Sequence, residues 1–204
     1  MTLAPAFEVL GAGPVPHAAA PTLRFALRVS EPSGADVHAI ALAAQLHIDP
    51  ARRSYDDATR ERLVELFGEP ERWSATTRSF LWAQLGTVVP AFRGDAEFPL
   101  DVPCTYDLEV AAAKYVYSLP DGEMPLTFHF SGTILHGGMQ VAMVPWSCSA
   151  QFRLPVETWR KLMAAHYPGG GWVRLESETL DALAARKAAG GLPSYDATIA
   201  ELLR

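Results

Sequence analysis

The feature that most constrains the fold is an alternation of apolar and polar side chains at every second position. Residues 23–30 place Leu23, Phe25 and Leu27 in one phase, with Arg24 among the residues of the other phase. Residues 126–135 repeat the pattern. Period-two alternation is typical of a strand with one face in the core and one in solvent. The chain is therefore predicted to be mainly β.

The segment before the second of these stretches is interpreted as its hairpin partner. Tyr106–Leu119 is predicted to be a long strand, joined to Leu126–Leu135 by the turn residues 120–125 with Asp-Gly at the reversal. Its large side chains change phase near Ala113-Lys114, and a β-bulge there would restore one apolar face. This hairpin is predicted to be the centre of the fold.

Further elements follow from periodicity and from Gly and Pro breaks. Strands 23–30 and 37–48 are predicted to pair antiparallel, because their connection has hairpin length. Helices are predicted after Asp49-Pro50 and in the last quarter. Shorter strands are predicted at residues 7–10, 80–89, 98–102, 140–144 and 150–154. This order predicts a mainly β (α+β) fold, an antiparallel β-sandwich with about three additional helices, two or three of them in the C-terminal quarter; a single α+β sheet is the alternative.

The length of 204 residues fits one domain. Residues 1–21, rich in Gly, Ala and Pro, are expected to be a loosely ordered N-terminal segment, and residues 155–204 a helical extension packed on the sandwich. Arg24 is the first basic residue, and no apolar stretch resembles a signal peptide or a membrane span. A soluble, cytoplasmic protein without membrane contact is expected.

Charge and cysteine content exclude some functions. The net charge of −6 argues against nucleic-acid binding, which needs a basic face. Cys104 and Cys148 have no ligand-spaced partner, so both are expected to be reduced core residues without metal.

Motifs that would assign an enzyme class are missing. The sequence has no nucleophile elbow, phosphate-binding loop, dinucleotide fingerprint or zinc-protease helix, so no catalytic residue, cofactor or metal is predicted. Paired carboxylates at Asp107 and Glu109, with His129 on another strand, are the candidates for a pocket between the sheets. A solvated strand face explains the same residues. Their function would require a further group supplied from elsewhere in the fold.

Two of the five tryptophans are candidates for binding another protein. Trp146 follows Pro145 in a turn-like setting, and Trp73 lies in a polar connection. Exposed aromatic side chains are where interface binding energy concentrates. Both are therefore expected to be partly exposed.

Several segments together resemble a known family. They are residues 98–107, 109–115, 128–133 and 144–146, with a C-terminal group at 154–156, 159–160 and 192–196. They resemble an actinobacterial domain-of-unknown-function family of about this length, whose genes are often near those for nickel-iron hydrogenase subunits and maturation proteins. An excess of arginine over lysine agrees with such a source. The resemblance implies a genomic context, but no catalytic residues.

Two hypotheses result. The first is a non-catalytic accessory protein that binds another protein, for which the resemblance implies a hydrogenase subunit or maturation factor. The second is a small-molecule-binding protein or enzyme with a pocket between the sheets. A deep pocket with converging titratable groups would favour the second, and an exposed apolar surface the first.

Overall fold

The computed structural model describes residues 3–105, 107–108, 110–138, 140–170 and 173–204. The chain divides into two compact units, Met1–Gly171 and Trp172–Arg204. In the described part of the chain, no helix combines the length and the apolar character that crossing a bilayer requires.

The described residues form nine strands, all in the first unit. They are β1 (Ala6–Pro14), β2 (Thr22–Ser30), β3 (Asp36–Ile48), β4 (Phe80–Val89), β5 (Phe92–Arg93), β6 (Asp95–Pro103), β7 (Glu123–His136), β8 (Gln140–Met143) and β9 (Ser149–Pro155).

Six α-helices complete the described part. They are α1 (Asp57–Phe67), α2 (Trp73–Thr76), α3 (Ala111–Ser118), α4 (Val156–His166), α5 (Ser177–Gly190) and α6 (Tyr195–Leu202), with short 3₁₀ turns at Pro50–Arg52 and Pro70–Arg72. The helices α5 and α6 lie in the second unit.

The strands build two antiparallel sheets. Sheet A has the order β1-β2-β6. Sheet B has the order β4-β3-β7-β8, with β5 paired to β3 and β9 paired to the first half of β7. The mainly β class with antiparallel pairing is confirmed, but six helices are present where about three were predicted.

Aromatic rings join the buried faces of the two sheets. Phe7 of β1 stacks on Phe130 of β7 with ring centroids 4.3 Å apart. Phe25 of β2 meets the edge of Phe128 at 5.1 Å. β1 also lies beside β9, and β4 beside β6. The alternating apolar positions of both sheets therefore share one core.

The predicted central hairpin is wrong in its first half. Residues 111–118 form the helix α3, whereas β7 confirms the second half. Ala112, Tyr115, Val116 and Leu119 are buried, at the i, i+3, i+4, i+7 spacing of one helix face. The phase change near Lys114 is thus a helical period, and the predicted bulge does not exist.

The predicted pairing of strands 23–30 and 37–48 is also wrong. β2 pairs with β1 and β6, whereas β3 pairs with β4 and β7. The connection between them crosses from one sheet to the other. The buried carboxylate of Glu31 holds this crossing by accepting hydrogen bonds from the backbone N–H groups of Ala4 and Ser33, at 2.9 and 3.1 Å.

The N-terminal segment contains more regular structure than expected. β1 continues past Leu10 to Pro14 and pairs with β2 along its length, with a bulge between Val9 and Gly11. The bulge lets the strand tolerate glycine and still satisfy its backbone hydrogen bonds. The expectation of a loose segment is therefore wrong for residues 6–14.

Candidate interaction surface

The outer face of sheet A is covered by charged pairs. Arg24 binds Asp101 across β2 and β6 through two hydrogen bonds of 2.7 Å. Arg28 bonds to Glu97 at 2.8 Å and lies 3.5 Å from Glu8 on the other neighbouring strand. Such cross-strand pairs are typical of a solvated sheet face.

The outer face of sheet B has the opposite character. Residues 37–48, 80–89, 124–136 and 140–143, which make up most of β3, β4, β7 and β8, contain no Asp, Glu, Lys or Arg, although 20% of the chain is charged. The charged residues of the sheet B strands are Asp36 and Glu123 at strand starts, Arg93 of β5 and Arg153 of β9. Their outward positions hold small, apolar and neutral polar side chains. Depletion of charge is the compositional mark of the core of a protein interface.

Large apolar side chains are exposed at one end of this face. The strand register aligns one row across it: Val88, Ala41, Thr133 and Met143. Val88 and Met143 are each 66% exposed, and Val141 is 63% exposed. β8, only four residues long, forms the edge of the sheet here.

Trp146 lies in the turn that follows β8 and is 93% exposed. The N–H of Cys148 donates to the carbonyl of Pro145 at 3.0 Å, closing a β-turn with Trp146 at its second position. Val144, just before the turn, is buried and bonds to the carbonyl of Gly132 at 2.9 Å. The turn is thus anchored to β7 and presents the indole ring to solvent, as expected from the sequence.

Trp73, the other tryptophan candidate, is half-buried at the start of α2. Its ring meets Tyr55 and Phe67 edge to face at 5.5 and 5.6 Å. Its Nε1–H donates to the carbonyl of Gly68 at 2.8 Å. These contacts give Trp73 a packing role, and less of its ring is available to a partner than of Trp146.

His129 acquires a neighbour that the sequence did not reveal. The pairing of β3 with β7 places His47 diagonally from it on the outer face of sheet B, and the two rings meet edge to face at 5.2 Å. Burial, and then the adjacent imidazole of His129, lower the pKa of His47, while Asp49 opposes the shift. Nδ1 of His47 also lies 3.4 Å from the hydroxyl of Ser79.

Two imidazoles alone do not complete a metal site. Among the residues that the structure describes, no group of three His, Cys, Asp or Glu side chains is placed to hold a metal ion. The pair instead adds two imidazole side chains to the part of sheet B whose residues 37–48 and 124–136 contain no Asp, Glu, Lys or Arg.

Of the remaining pocket candidates, the structure describes only Asp107. Asp107 lies in the connection between β6 and α3, where its N–H donates to Oγ1 of Thr105 at 3.0 Å. Glu109 lies outside the described residues. Because residues 111–118 are helical, the strand face that these two carboxylates were expected to share does not continue along that segment.

Sequence reasoning missed the surface itself. Neutrality can be read from each strand separately, but only the strand order shows that four such strands are adjacent. The exposure of Val88 and Met143 likewise depends on register, because both lie in strands whose alternation is weak. The indication available in the sequence was the absence of charge from these strand segments.

Similarity to solved structures is low. A Bordetella pertussis protein provisionally designated ApaA has 11% identity and a TM-score of 0.31, over 75% of this chain and 94% of that one. A protein provisionally assigned as late embryogenesis abundant has 14% identity and a TM-score of 0.31, over 74% and 71%. β-Glucosidase 3B from Thermotoga neapolitana has 12% identity and a TM-score of 0.28, over 74% of this chain but 17% of the enzyme. These values support neither a shared fold nor a shared activity.

No curated protein matches the sequence. One family model does, and it extends over almost the entire chain. With a match over residues 2–204, the chain belongs to DUF6084, a family of unknown function.

Proposed function

We propose that this protein is a non-catalytic accessory protein of the cytoplasm that binds another protein through the outer face of sheet B, over the uncharged part formed by β4, β3, β7 and β8. The scaffold is a β-sandwich. The observation that supports the proposal is the contrast between the two outer faces: cross-strand ion pairs on sheet A, and no charged residue at positions 37–48, 80–89, 124–136 and 140–143 of the adjacent strands β3, β4, β7 and β8 in sheet B.

Trp146 is the proposed anchor of this interaction. A tryptophan buries roughly 150–250 Å² when covered, and at about 25 cal/mol per Å² this corresponds to an upper limit of roughly 4–6 kcal/mol. The tight turn from Pro145 to Cys148 already fixes the backbone below the ring, so less backbone entropy would be lost on binding. Tryptophan is also among the residue types most enriched in binding hot spots.

The proposed partner is a protein with an apolar surface or an extended segment that can pair with the edge of β8. The family resemblance makes a nickel-iron hydrogenase subunit or maturation factor the first candidate. Neutral polar residues such as Gln45 and Gln84 on the same face can supply hydrogen bonds without the desolvation cost of charges.

Affinity purification from the native host with tagged wild-type protein and a Trp146→Ala variant tests the proposal. The variant should lose the partner that wild type captures, a weakening of about 2 kcal/mol or more. Its stability should change by less than about 0.5 kcal/mol, because the ring is exposed. Arg24→Gln, on the charged face of sheet A, is the matched surface control and should capture the partner normally.

The captured partner is then purified and its affinity for each variant measured. If wild type and Trp146→Ala bound the partner with equal affinity, or if only Arg24→Gln lost affinity, the binding site would not be on sheet B. Capture of hydrogenase subunits would support the specific partner, and capture of an unrelated protein at the same site would exclude it.

A further inference from the structure

A cavity of about 610 Å³ lies between three helices of the first unit. Its walls come from α1, α3, α4 and the loop after α4. Six of its lining residues are Arg62, Tyr117, Trp159, Arg160, Met163 and Tyr167. This volume is within the range of small-molecule sites.

Two arginines of the cavity are held by the C-terminal end of α3. Arg62 donates through Nε to the carbonyl of Ser118 at 3.0 Å and through Nη2 to Oγ1 of Thr59 at 3.2 Å. Arg160 donates through Nη2 to the carbonyl of Leu119. The two guanidinium groups are thus fixed on consecutive carbonyls, and since each carries five N–H donors, most of these donors remain for a ligand.

The cavity has a local excess of positive charge. Among the residues that the structure describes, the lining includes both arginines and no Asp or Glu. Within the described part of the chain, neither arginine forms an ion pair. Two acidic residues of the surrounding helices pair with lysines instead: Glu65 with Lys114, and Glu157 with Lys161 at 3.6 Å. The pKa of Asp56, the N-cap of α1, is lowered by its hydrogen bonds to Thr59 and, to a lesser degree, by the charge of Arg62. One carboxylate is thus within electrostatic range of this arginine, but it is not among the described residues that line the cavity.

We propose that this cavity binds a small organic oxyanion, a carboxylate or phosphate ester with an aromatic or apolar body. The oxyanion would bind the free N–H groups of Arg62 and Arg160, because guanidinium donors match oxyanions in a bidentate geometry. The body would contact the tyrosine rings and Met163. The cavity shares no residue with the strands of sheet B, so this proposal is independent of the partner surface.

The nearby glycines are not the anion site. Gly169 and Gly170 line the cavity, and glycine-rich loops can cradle phosphate with their N–H groups. Here the N–H of Gly170 donates to the carbonyl of Tyr167 at 3.2 Å and is unavailable. The arginines, which have spare donors, are therefore the groups assigned to the anion.

Titration of the full-length protein with phenyl phosphate and with phenylacetate tests the proposal, with 2-phenylethanol as the neutral probe. In protein labelled with ¹³C at the methionine methyl groups, at least one anion should shift the Met163 signal but not that of Met143 on β8. The neutral probe should bind at least about tenfold more weakly, which corresponds to a difference of about 1.4 kcal/mol in binding free energy. The tighter of the two anions identifies the preferred oxyanion.

Arg62→Gln and Arg160→Gln should each weaken anion binding at least about tenfold in calorimetry. Arg60→Gln, on the same helix but absent from the cavity lining, is the matched control and should bind normally. If the arginines only cap α3, the variants lose thermal stability but keep wild-type affinity, and the proposal is wrong. If the variants do not fold, the titrations of the wild-type protein test the proposal. Equal affinity for the anions and the neutral probe, or an unchanged Met163 methyl signal, would overturn it.

Discussion

His47 and His129 show how strand register creates a chemical environment that neither residue has alone. Each is an isolated histidine in the sequence, and their rings meet only because β3 and β7 pair in one register. Burial and the second imidazole both disfavour the imidazolium form of His47, whereas Asp49 favours it. The balance lowers the pKa of His47, which favours its neutral imidazole form near neutral pH.

The lowered pKa of His47 predicts a loss of stability in mild acid. A histidine whose folded-state pKa lies below its unfolded value of 6.5 contributes stability that is fully present above 6.5 and is lost as the pH falls toward the folded-state pKa. We expect the Tm to fall between about pH 7.5 and about pH 5.5, and His47→Gln to reduce that fall. His38→Gln, an exposed position on the same strand, is the control; equal pH dependence in wild type and His47→Gln would contradict the assignment.

The two cysteines are predicted to be free thiols of unequal reactivity. Burial raises the pKa of Cys104 to about 12 and also raises that of half-buried Cys148, whose S–H donates to the carbonyl of Pro5 at 3.3 Å. A thiol reagent at about pH 8 should modify Cys148 slowly and Cys104 only on unfolding, because the thiolate is the reactive form. Denatured protein without reductant should titrate as two thiols, and Cys148→Ser as one; a missing pair would indicate a disulfide.

At the scale of single elements, the sequence predicts well where its period is unambiguous. The alternation in β2 and in β7 is confirmed. The α3 segment failed because a short apolar run with a phase change can be read as a bulged strand or as a helix. Its consecutive alanines, the best helix formers, were the overlooked indication.

Local sequence patterns could not show to which of the two sheets each strand belongs. The connection over residues 31–36 has a length that suits a hairpin, but here it links two sheets, because β2 and β3 each bury one apolar face against the other sheet. The same limit applies to the candidate sites. The exposure of Trp146 was predictable from its turn, whereas the uncharged surface around β8 and the arginine cavity depend on which elements become neighbours.

Position 132 of β7, occupied by glycine, has no room for a side chain. It has a φ of +149°, and a Cβ there would lie 2.1 Å from the carbonyl oxygen of Ala41 in β3. Since β3 is paired on both sides, Ala41 has little room to move. Gly132→Ala should lower the free energy of unfolding by more than about 2 kcal/mol in urea denaturation.

The matched control for this substitution is Gly86→Ala in β4. A Cβ at Gly86 would lie 4.0 Å from the carbonyl oxygen of Leu42, an ordinary contact, and its φ is not positive. We expect this variant to be as stable as wild type or more so, because alanine reduces the entropy of the unfolded chain. If both variants lost the same free energy of unfolding, the close approach of β3 to position 132 would not be the cause of the loss in Gly132→Ala.

At the scale of the whole molecule, the individual surfaces differ in charge in ways that the net charge does not reveal. The chain has a net charge of −6, yet sheet A has paired charges on its outer face, and residues 37–48, 80–89, 124–136 and 140–143 of sheet B have none. In the described part of the chain, the two arginines that line the helical cavity form no ion pair. Each arrangement has a different consequence: solvation on sheet A, protein contact on sheet B and anion binding in the cavity. Raising the salt concentration should therefore weaken anion binding and leave contact at sheet B nearly unchanged.

The division into two units predicts that residues 1–171 fold without the remainder. All described strands and the aromatic core from Phe7 to Phe130 belong to this part. In the second unit, only Leu183 and Thr198 are buried among the described residues, whereas Leu180, Ile199, Leu202 and Leu203 are exposed. A segment of this size with so small a buried core is below what stable folding usually requires.

We therefore expect the fragment 1–171 to unfold cooperatively, with a free energy of unfolding within about 2 kcal/mol of the full chain. The isolated fragment 172–204 should show little helix by circular dichroism, because short helices without tertiary packing are marginal in water. Near-UV circular dichroism of fragment 1–171 checks its packing directly. A fragment that keeps far-UV but loses near-UV signal would show that the aromatic core depends on residues 172–204, and the two units would then be one folding unit.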